Sequence, residues 1–374
     1  MRNSKFFFAL ILGCVLLINT ASGQKNVITT AVPFLTITPD AHAGSMGGVG
    51  AATTPDAYSI YWNPAKYAFI EKDFGVGISY VPWLKSMVND IGLASFAIFK
   101  RLGDKQAIAG SLRYFSLGEV QYTDENGYDL AKVKPNEWTI DATYSRKFSR
   151  SFSGAVAGRF IYSDLVQLDN QNNGMQPGTS VAADISVYYH HELEIKGLQS
   201  AWISAGLDIS NIGSKISYNK NSTYNDFIPT NLRIGPTFTM DLDDYNRLSF
   251  SFDLNKLLVP SSPVSTVSPI RGILESFSDA PGGFSEEVKE ISVSVGAEYW
   301  YNKLFALRGG YFYENKDKGD RQFFTMGAGI RYNVFGLDFS YLVPVTSLSP
   351  LQNTLQFTLL FNFEPVKKGK SGSN

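Results

Sequence analysis

Residues 247–257 read RLSFSFDLNKL, and polar and apolar side chains alternate from Arg247 to Asn255. Successive side chains of an extended strand point to opposite faces, so Leu248, Phe250 and Phe252 share an apolar face and the residues between them share a polar one. The run is about twice as long as a typical strand of a soluble sheet, and it has the length of a tilted strand that crosses a bilayer. This stretch therefore indicates a membrane-spanning strand with one face in lipid.

The same alternation recurs along most of the chain. It is weakest in the second run, where Leu93 falls on the opposite face from Phe96 and Ile98. In the eighth run Pro236 lacks the backbone donor that a strand ladder needs, which predicts a bulge or a strand end there. The whole pattern predicts fourteen strands, at 74–83, 88–99, 106–116, 137–148, 152–163, 178–189, 201–211, 231–241, 247–257, 289–300, 304–314, 322–332, 335–344 and 354–363.

The connections between these runs alternate in length. If the first strand runs outward, all but one of the connections on the periplasmic side are short, at 100–105, 149–151, 190–200, 242–246, 301–303 and 333–334. Those on the outer side include four long loops, at 117–136, 164–177, 212–230 and 258–288. Short periplasmic turns and long outer loops are typical of bacterial outer-membrane barrels, whereas a soluble sandwich gives no reason for such alternation. The sequence therefore predicts an all-β fold, a transmembrane antiparallel β-barrel of about fourteen strands over residues 74–363.

The composition fits a barrel with a polar interior. Charged residues make up 18% of the chain and the formal net charge is -1, so nothing predicts binding to nucleic acid. Charges on the polar strand faces are expected to pair across the lumen. Two roles are open: these charges solvate the lumen and hold its wall together, or they bind a permeant. The residues are Asp141, Asp184, Asp208, Asp253, Glu298, Asp338, Arg159, Arg308 and Arg331.

The N-terminus has the pattern of a cleaved export signal. Basic residues precede an apolar run at 6–18, which is too short to span a bilayer, and small residues end at Gly23. Cleavage there removes Cys14, the only cysteine, so backbone pairing and packing must hold the mature protein. The predicted organisation is a signal peptide at 1–23, an N-terminal plug at 24–73, the barrel at 74–363 and a basic tail at 364–374 with Lys367, Lys368 and Lys370.

The segment at 24–73 does not alternate, and it is too apolar for a linker. It is rich in small residues between Ala43 and Ala65. A fourteen-stranded ring encloses more space than its own side chains fill. We therefore expect this segment to fold into the barrel mouth as a plug.

The sequence carries no catalytic pattern. The three histidines, His42, His190 and His191, do not have the spacing of a zinc protease, and no nucleophile motif is present. The segment Thr123–Asp129 offers several oxygen ligands for calcium, but it lacks EF-hand spacing and is interpreted as an ordinary polar turn. No catalytic residue, metal site or cofactor is predicted.

Two blocks of sequence resemble known families. The stretch that ends in Asn63, Pro64 and Ala65 resembles the N-terminal hatch of the FadL-like outer-membrane transporters, which are fourteen-stranded. Within that group, residues 37–48, the overall length and the Ser/Pro-rich fifth outer loop are similar to the PorV family of the Bacteroidetes type IX secretion system. The similarity runs from Val27 to about Phe363, and the tail beyond it departs from the usual barrel terminus, which ends on an aromatic residue.

The resemblance implies a location in the cell outer membrane and a role in protein secretion rather than an enzyme. By this resemblance the protein binds the C-terminal signal domain of secreted cargo at a translocon channel of the SprA or Sov type. It then passes the cargo to a surface attachment complex with a PorU-type sortase, which joins cargo to anionic lipopolysaccharide. The alternative is a FadL-like outer-membrane channel for hydrophobic small molecules. A lipopolysaccharide-modifying enzyme is disfavoured because no nucleophile and base are paired.

The fifth outer loop carries bulky apolar residues, which are costly in water unless something covers them. We expect this loop to contact the translocon or the cargo; the alternative is that it folds back over its own barrel. The candidate contact residues are Ile270, Ile273, Leu274, Phe277 and Phe284.

Overall fold

The structure is a computed structural model that describes residues 27–364 except 85–87, 89, 166–173, 222–223, 262–265, 346–350 and 353. The predicted signal peptide and the tail beyond Glu364 lie outside the described residues. Across the part of the chain that the structure describes, no helix is long and apolar enough to cross a membrane.

Strands dominate the described chain. Their bounds are β1 (Phe74–Pro82), β2 (Gly92–Arg101), β3 (Gln106–Ser116), β4 (Val120–Thr123), β5 (Asp129–Val133), β6 (Asn136–Lys147), β7 (Phe152–Asp164), β8 (Gly178–Leu193), β9 (Ser200–Gly213), β10 (Asn231–Asp241), β11 (Asn246–Leu257), β12 (Ile291–Tyr301), β13 (Phe305–Tyr313), β14 (Gln322–Tyr332), β15 (Phe335–Pro344) and β16 (Leu355–Phe363).

Fourteen of these strands form one closed antiparallel barrel, which confirms the predicted fold. Each barrel strand pairs with the barrel strands before and after it in sequence, so that β3 pairs with β6. The ring closes between β1 and β16, with Phe74 opposite Phe363. On β11 Phe250 faces outward and Ser251 is buried in the lumen, as the alternation predicts. The one long periplasmic connection, predicted at 190–200, is a shorter turn at 194–199, because β8 and β9 still pair at Leu193 and Ala201.

Two local expectations were wrong. Strand β2 begins at Gly92 rather than at residue 88, and it looks irregular in sequence because Leu93 and Phe99 on its inner face are apolar and pack inside the barrel. Pro236 neither ends β10 nor shifts its register with β11. The register shift occurs instead between β8 and β9, beside Ala183.

The segment before β1 runs through the whole lumen and not only its mouth. At the outer end the Ala31 amide donates to the carbonyl of Phe227, and at the periplasmic end the Asp73 amide donates to the carbonyl of Phe363. We call residues 27–73 the plug. Its short helices are a 3-10 helix at Pro33–Thr36, α1 (Ala41–Gly44), α2 (Ser59–Trp62) and a second 3-10 helix at Pro64–Phe69.

The apolar core of the protein lies between the plug and the inner wall. In the outer half, Phe34 stacks on Phe115 of β3, with ring centroids 5.9 Å apart. In the periplasmic half, Tyr67 packs against Phe99 of β2 at 5.7 Å. Because the lumen is filled in this way, several inner strand faces carry apolar residues where an open pore would carry polar ones.

Two outer loops contain structure that the alternation did not predict. The loop after β3 forms the hairpin β4–β5, which is separate from the barrel. The loop between β11 and β12 contains α3 (Pro269–Glu275) and α4 (Phe284–Lys289). Ser268 caps α3 by accepting from the Arg271 amide, and Pro269 occupies its first turn.

Candidate functional site

The hatch motif Asn63, Pro64 and Ala65 fastens the plug to the wall. The fully buried Asn63 side chain donates to the carbonyls of Ala51, at 2.8 Å, and Val187, at 3.0 Å. Its Oδ1 accepts from the Ala65 amide at 3.0 Å, which caps the 3-10 helix that Pro64 begins. One asparagine therefore joins two parts of the plug to strand β8.

Serines of the wall complete this attachment. Ser186 Oγ accepts from the Ala65 amide at 3.1 Å, while Ser153 Oγ donates to the Ala65 carbonyl at 2.7 Å. The close approach also requires glycine at position 206, because a Cβ there would lie 1.9 Å from the carbonyl oxygen of Ala51. The small residues of the motif thus permit backbone contact between plug and barrel.

Acidic and basic side chains of the wall hold the rest of the plug. Asp253 Oδ2 accepts from the amides of Gly50, at 2.7 Å, and Ala51, at 2.9 Å. Arg233 donates from Nη1 to the carbonyl of Trp62 at 3.1 Å and lies over its ring at 4.6 Å. These contacts fix two parts of the plug that precede the hatch motif, at Gly50 and Ala51 and at Trp62.

A histidine of the plug enters a chain of ionic contacts. His42 Nδ1 lies 2.9 Å from Asp56 Oδ2 within the plug, and His42 Nε2 lies 3.2 Å from Glu298 Oε2 on β12. Glu298 in turn accepts from Arg308 Nε at 2.6 Å, and Arg308 Nη1 donates to Asp338 at 2.7 Å. The network joins α1 to three neighbouring regions of the wall.

These contacts set the protonation of the plug histidine. Burial and the nearby Arg308 charge lower the pKa of His42. The Glu298 charge and the hydrogen bonds with Asp56 and Glu298 outweigh them and raise the pKa to about 9. The imidazole is therefore charged at neutral pH, where it bridges two carboxylates.

Asp40, His42 and Asp56 are the cluster in the described chain that has metal-ligand chemistry, with their donor atoms within 4.8 Å of one another. Those atoms already have protein partners. Asp40 accepts from the Ala43 amide at 2.9 Å and from Trp62 Nε1 at 2.7 Å. We therefore interpret the cluster as a structural network of the plug. In the outer hairpin, Asp124 likewise accepts from two backbone amides of its own turn.

The lumenal arginines pair with carboxylates of nearby strands, and the expectation that the charges pair across the lumen was wrong. Arg159 on β7 contacts Asp141 on β6, and its Nη2 lies 2.9 Å from Asp184 on β8. Arg331 and Arg308 both contact Asp338. The plug occupies the centre of the lumen, so side chains from opposite walls cannot meet there.

Two cavities with different linings lie on opposite sides of the plug. The outer cavity has a volume of about 460 Å³ and is bordered by Tyr61, Trp62 and Arg233. The periplasmic cavity has a volume of about 1460 Å³ and is bordered by His42, Trp202 and Trp300. None of the described residues lines both cavities, so the plug separates them.

The apolar residues of the fifth outer loop face away from the barrel. Phe284 is 83% exposed and Leu274 is 70% exposed, and Ile270 and Phe277 are also exposed, whereas Ile273 is half-buried. Ile270, Leu274 and Phe277 follow helical spacing and share one face of α3 and its C-terminal turn. We call this set, with Phe284 and Val288, the outer apolar surface.

Buried ion pairs hold the opposite side of α4. Lys256 on β11 lies 3.0 Å from Glu287 and 2.5 Å from Glu290. Lys318 lies 2.7 Å from Glu286 and 3.0 Å from Glu290. The helix is thus fixed to the barrel rim with its apolar residues presented to the outside.

Sequence reasoning found Asn63 and the apolar loop but missed Asp40, Asp56 and Arg233. A weak signal was available for the first two, because they are acidic residues in a segment otherwise rich in small and apolar residues. Arg233 gave no signal, since its role depends on which strand faces the plug.

Comparison with solved structures identifies the fold. The TodX monoaromatic hydrocarbon channel, as a deltaS2S3 mutant, aligns with a TM-score of 0.54 at 10% identity and covers 87% of this chain and 98% of its own. The toluene transporter TbuX of Ralstonia pickettii aligns at 0.48, with 13% identity and coverage of 87% and 98%. A Pseudomonas aeruginosa FadL homologue aligns at 0.44, with 11% identity and coverage of 88% and 98%. No curated protein matches the sequence significantly.

Comparison with protein families is more specific. The family described as "Type IX secretion system protein PorV" matches residues 20–264 of this 374-residue chain. The match includes the plug with its hatch motif and the strands from β1 to β11. The chain therefore belongs to the PorV family and is an outer-membrane β-barrel of the type IX secretion system.

Proposed function

We propose that this protein receives cargo at the translocon by its C-terminal signal domain and delivers it to the sortase attachment complex at the cell surface. The observation that carries the proposal is the outer apolar surface, which presents Leu274 and Phe284 to water, the latter on a helix fixed by buried ion pairs. Bulky apolar side chains held in place outside a membrane are typical of a protein contact. Membership of a secretion family supports the same role.

In this proposal the contacts are shared between the translocon channel, of the SprA or Sov type, and the signal domain of the cargo. A PorU-type sortase, which joins cargo to lipopolysaccharide, is the partner that receives it. Helix α4 is fixed before the partner arrives, which reduces the entropy lost on binding. The alternative that the loop folds back over its own barrel leaves the exposure of Phe284 unexplained.

The competing proposal is a FadL-like outer-membrane channel for hydrophobic small molecules. It is supported by the fold shared with a hydrocarbon channel and by the periplasmic cavity. The plug disfavours it, because Asn63, Asp253 and Arg233 bond its backbone directly to the wall and the two cavities share no lining residue. Uptake requires an opening that these bonds oppose.

Deletion of residues 265–283 behind a short flexible linker tests the secretion role. We expect cargo with C-terminal signal domains to accumulate in the periplasm and the channel protein to co-purify less. Unchanged secretion and unchanged co-purification would remove the proposal.

Point variants separate contact from folding. Phe284→Ser with Leu274→Ser is expected to reproduce the deletion, whereas Ile195→Ser, at an exposed apolar residue of the opposite rim, should secrete normally. Loss of toluene or fatty-acid uptake in a deletion strain, with secretion intact, would favour the channel instead.

A further inference from the structure

The outer cavity is built as a binding site. Its floor is formed by plug residues Tyr61 and Trp62, and its walls come from strands on both sides of the lumen. A volume of about 460 Å³ lies within the range of small-molecule sites. The plug closes its periplasmic side, so a molecule that enters from outside is held rather than passed through.

Two buried polar groups in its lining lack protein partners. Gln356 Oε1 and Ser294 Oγ have no hydrogen-bond partner within the described ranges, and the two residues are only 5% and 1% exposed. Buried polar atoms are nearly always hydrogen-bonded. These groups therefore point to an occupant with donors and acceptors of its own, which a purely apolar ligand does not supply.

Arg233 adds a positive charge to the floor. Its guanidinium is bonded to the Asn255 side chain and to backbone carbonyls, and it stacks on Trp62. Among the described residues, no carboxylate lies within ion-pair distance of it, although Asp208 and Asp253 are close enough to influence it electrostatically. Arginine in such a position favours a carboxylate or a phosphate.

The remaining lining indicates the body of the ligand. Of the four cations in the lining, Arg159, Lys318 and Arg321 already form ion pairs with carboxylates, which leaves Arg233 as the cation for a ligand. Asparagine, glutamine and serine side chains line the cavity together with the half-buried ring of Tyr61. Amides match hydroxyl groups that both donate and accept, and aromatic faces match the C–H side of a sugar ring.

We propose that the outer cavity binds a small acidic saccharide, with its phosphate or carboxylate at Arg233 and its hydroxyls at the amide and serine side chains. The source is either a free sugar acid or the sugar portion of a surface glycolipid, since both carry the same groups. This binding is separate from the contacts of the outer apolar surface and does not depend on them.

Saturation-transfer NMR on the detergent-solubilised mature protein tests the site with glucose 6-phosphate, glucuronate, glucose and inorganic phosphate as probes. We expect the two acidic sugars to bind about tenfold or more tightly than glucose, because hydrogen bonds to charged groups are the stronger ones. Full competition by inorganic phosphate at equal concentration would overturn the saccharide assignment, and the absence of signal from either acidic sugar would overturn the site. Competition by purified lipopolysaccharide distinguishes the glycolipid source from the free sugar.

Variants locate the binding. Arg233→Gln should reduce the affinity for glucose 6-phosphate to that for glucose. Ser292→Leu narrows the cavity without touching a charge, and it should weaken the binding of both acidic sugars. Ser200→Leu in the periplasmic cavity is the matched control and should bind normally. Unchanged binding in Ser292→Leu places the probe elsewhere and refutes the proposal even if Arg233→Gln fails to fold. Secretion by the same variants is scored separately, so the cargo role can stand if the cavity proposal fails.

Discussion

His42 Nε2 of the plug lies 3.2 Å from Glu298 Oε2 of the barrel wall, so a titratable ion pair joins the two parts of the molecule. The pKa of His42 is raised from 6.5 to about 9. A raised histidine pKa gives a stabilisation that is fully present below the unfolded value of 6.5 and is lost as pH rises through about 9. Asp40, Asp56 and Arg308 also face this histidine from the plug and from β13.

The first prediction concerns plug retention and pH. We expect the wild-type barrel in planar bilayers to be closed at pH 7 and to show more frequent conducting openings above pH 9. His42→Gln should show the alkaline behaviour already at pH 7. His191→Gln, at an exposed histidine of the periplasmic rim, is the control. A wild-type barrel that stays equally closed at pH 10.5 contradicts the assigned role of the ion pair.

The second prediction concerns Asn63. Replacement by alanine leaves the buried carbonyls of Ala51 and Val187 without their donor. Each unsatisfied group costs about 1–3 kcal/mol, so the urea midpoint should fall clearly and the plug should become sensitive to protease. Asn126→Ala in the exposed outer hairpin should leave both readouts unchanged, and an equal effect of the two variants would argue against the anchoring role.

The third prediction uses two glycines. Gly206→Val places a Cβ 1.9 Å from the Ala51 carbonyl oxygen and forces the plug away from β9. We expect the folded barrel to lose about 1–3 kcal/mol of stability, as at other overpacked sites. The measurement is the temperature at which the barrel unfolds, read from its heat-dependent mobility on a gel. Gly158→Val adds a side chain on the lipid face with no heavy atom within 4 Å, and it should be neutral. Equal stability of the two variants would mean that the plug is not in close contact at Ala51.

The fourth prediction concerns the lipid face. Leu307 on β13 is 64% exposed and Leu130 on β5 is 65% exposed, but only the first faces hydrocarbon. Leu307→Arg should destabilise the barrel in lipid vesicles, by less than the about 2–4 kcal/mol that arginine costs at the bilayer centre, because Leu307 lies two residues after the periplasmic start of β13. Leu130→Arg lies in water and should cost little. If both arginines are tolerated equally, the membrane orientation assigned to the barrel is wrong.

The period-two alternation was enough to predict the barrel and most strand bounds. It worked best where one face meets lipid and the other meets polar groups, as at Phe250 and Ser251. It failed at β2, where Leu93 and Phe99 on the inner face are apolar because they pack inside the barrel against the plug side. Both faces of this strand are then apolar, and the alternation between apolar and polar residues is lost. The hairpin β4–β5 and the helices α3 and α4 lie in water, outside the membrane constraint.

The candidate site was less predictable than the fold. Asn63 and the apolar loop could be selected from sequence, because a motif that resembles a family and a loop with many bulky apolar residues can both be recognised without the structure. The roles of Glu298, Arg233 and Asp253 could not, because each depends on which plug residue lies opposite a given strand position. Pairing along the wall between Arg159 and Asp184 likewise follows from strand order and register.

The barrel seam joins its first and last strands, and the plug immediately precedes the first of them. A finished ring could admit this segment only by threading, which protein chains avoid. We therefore expect the hairpins to fold around the N-terminal residues during insertion. The last strand then pairs with the first and closes the barrel after the plug is already inside. The segment that obstructs the pore then also serves as an internal template that sets the curvature of the growing sheet.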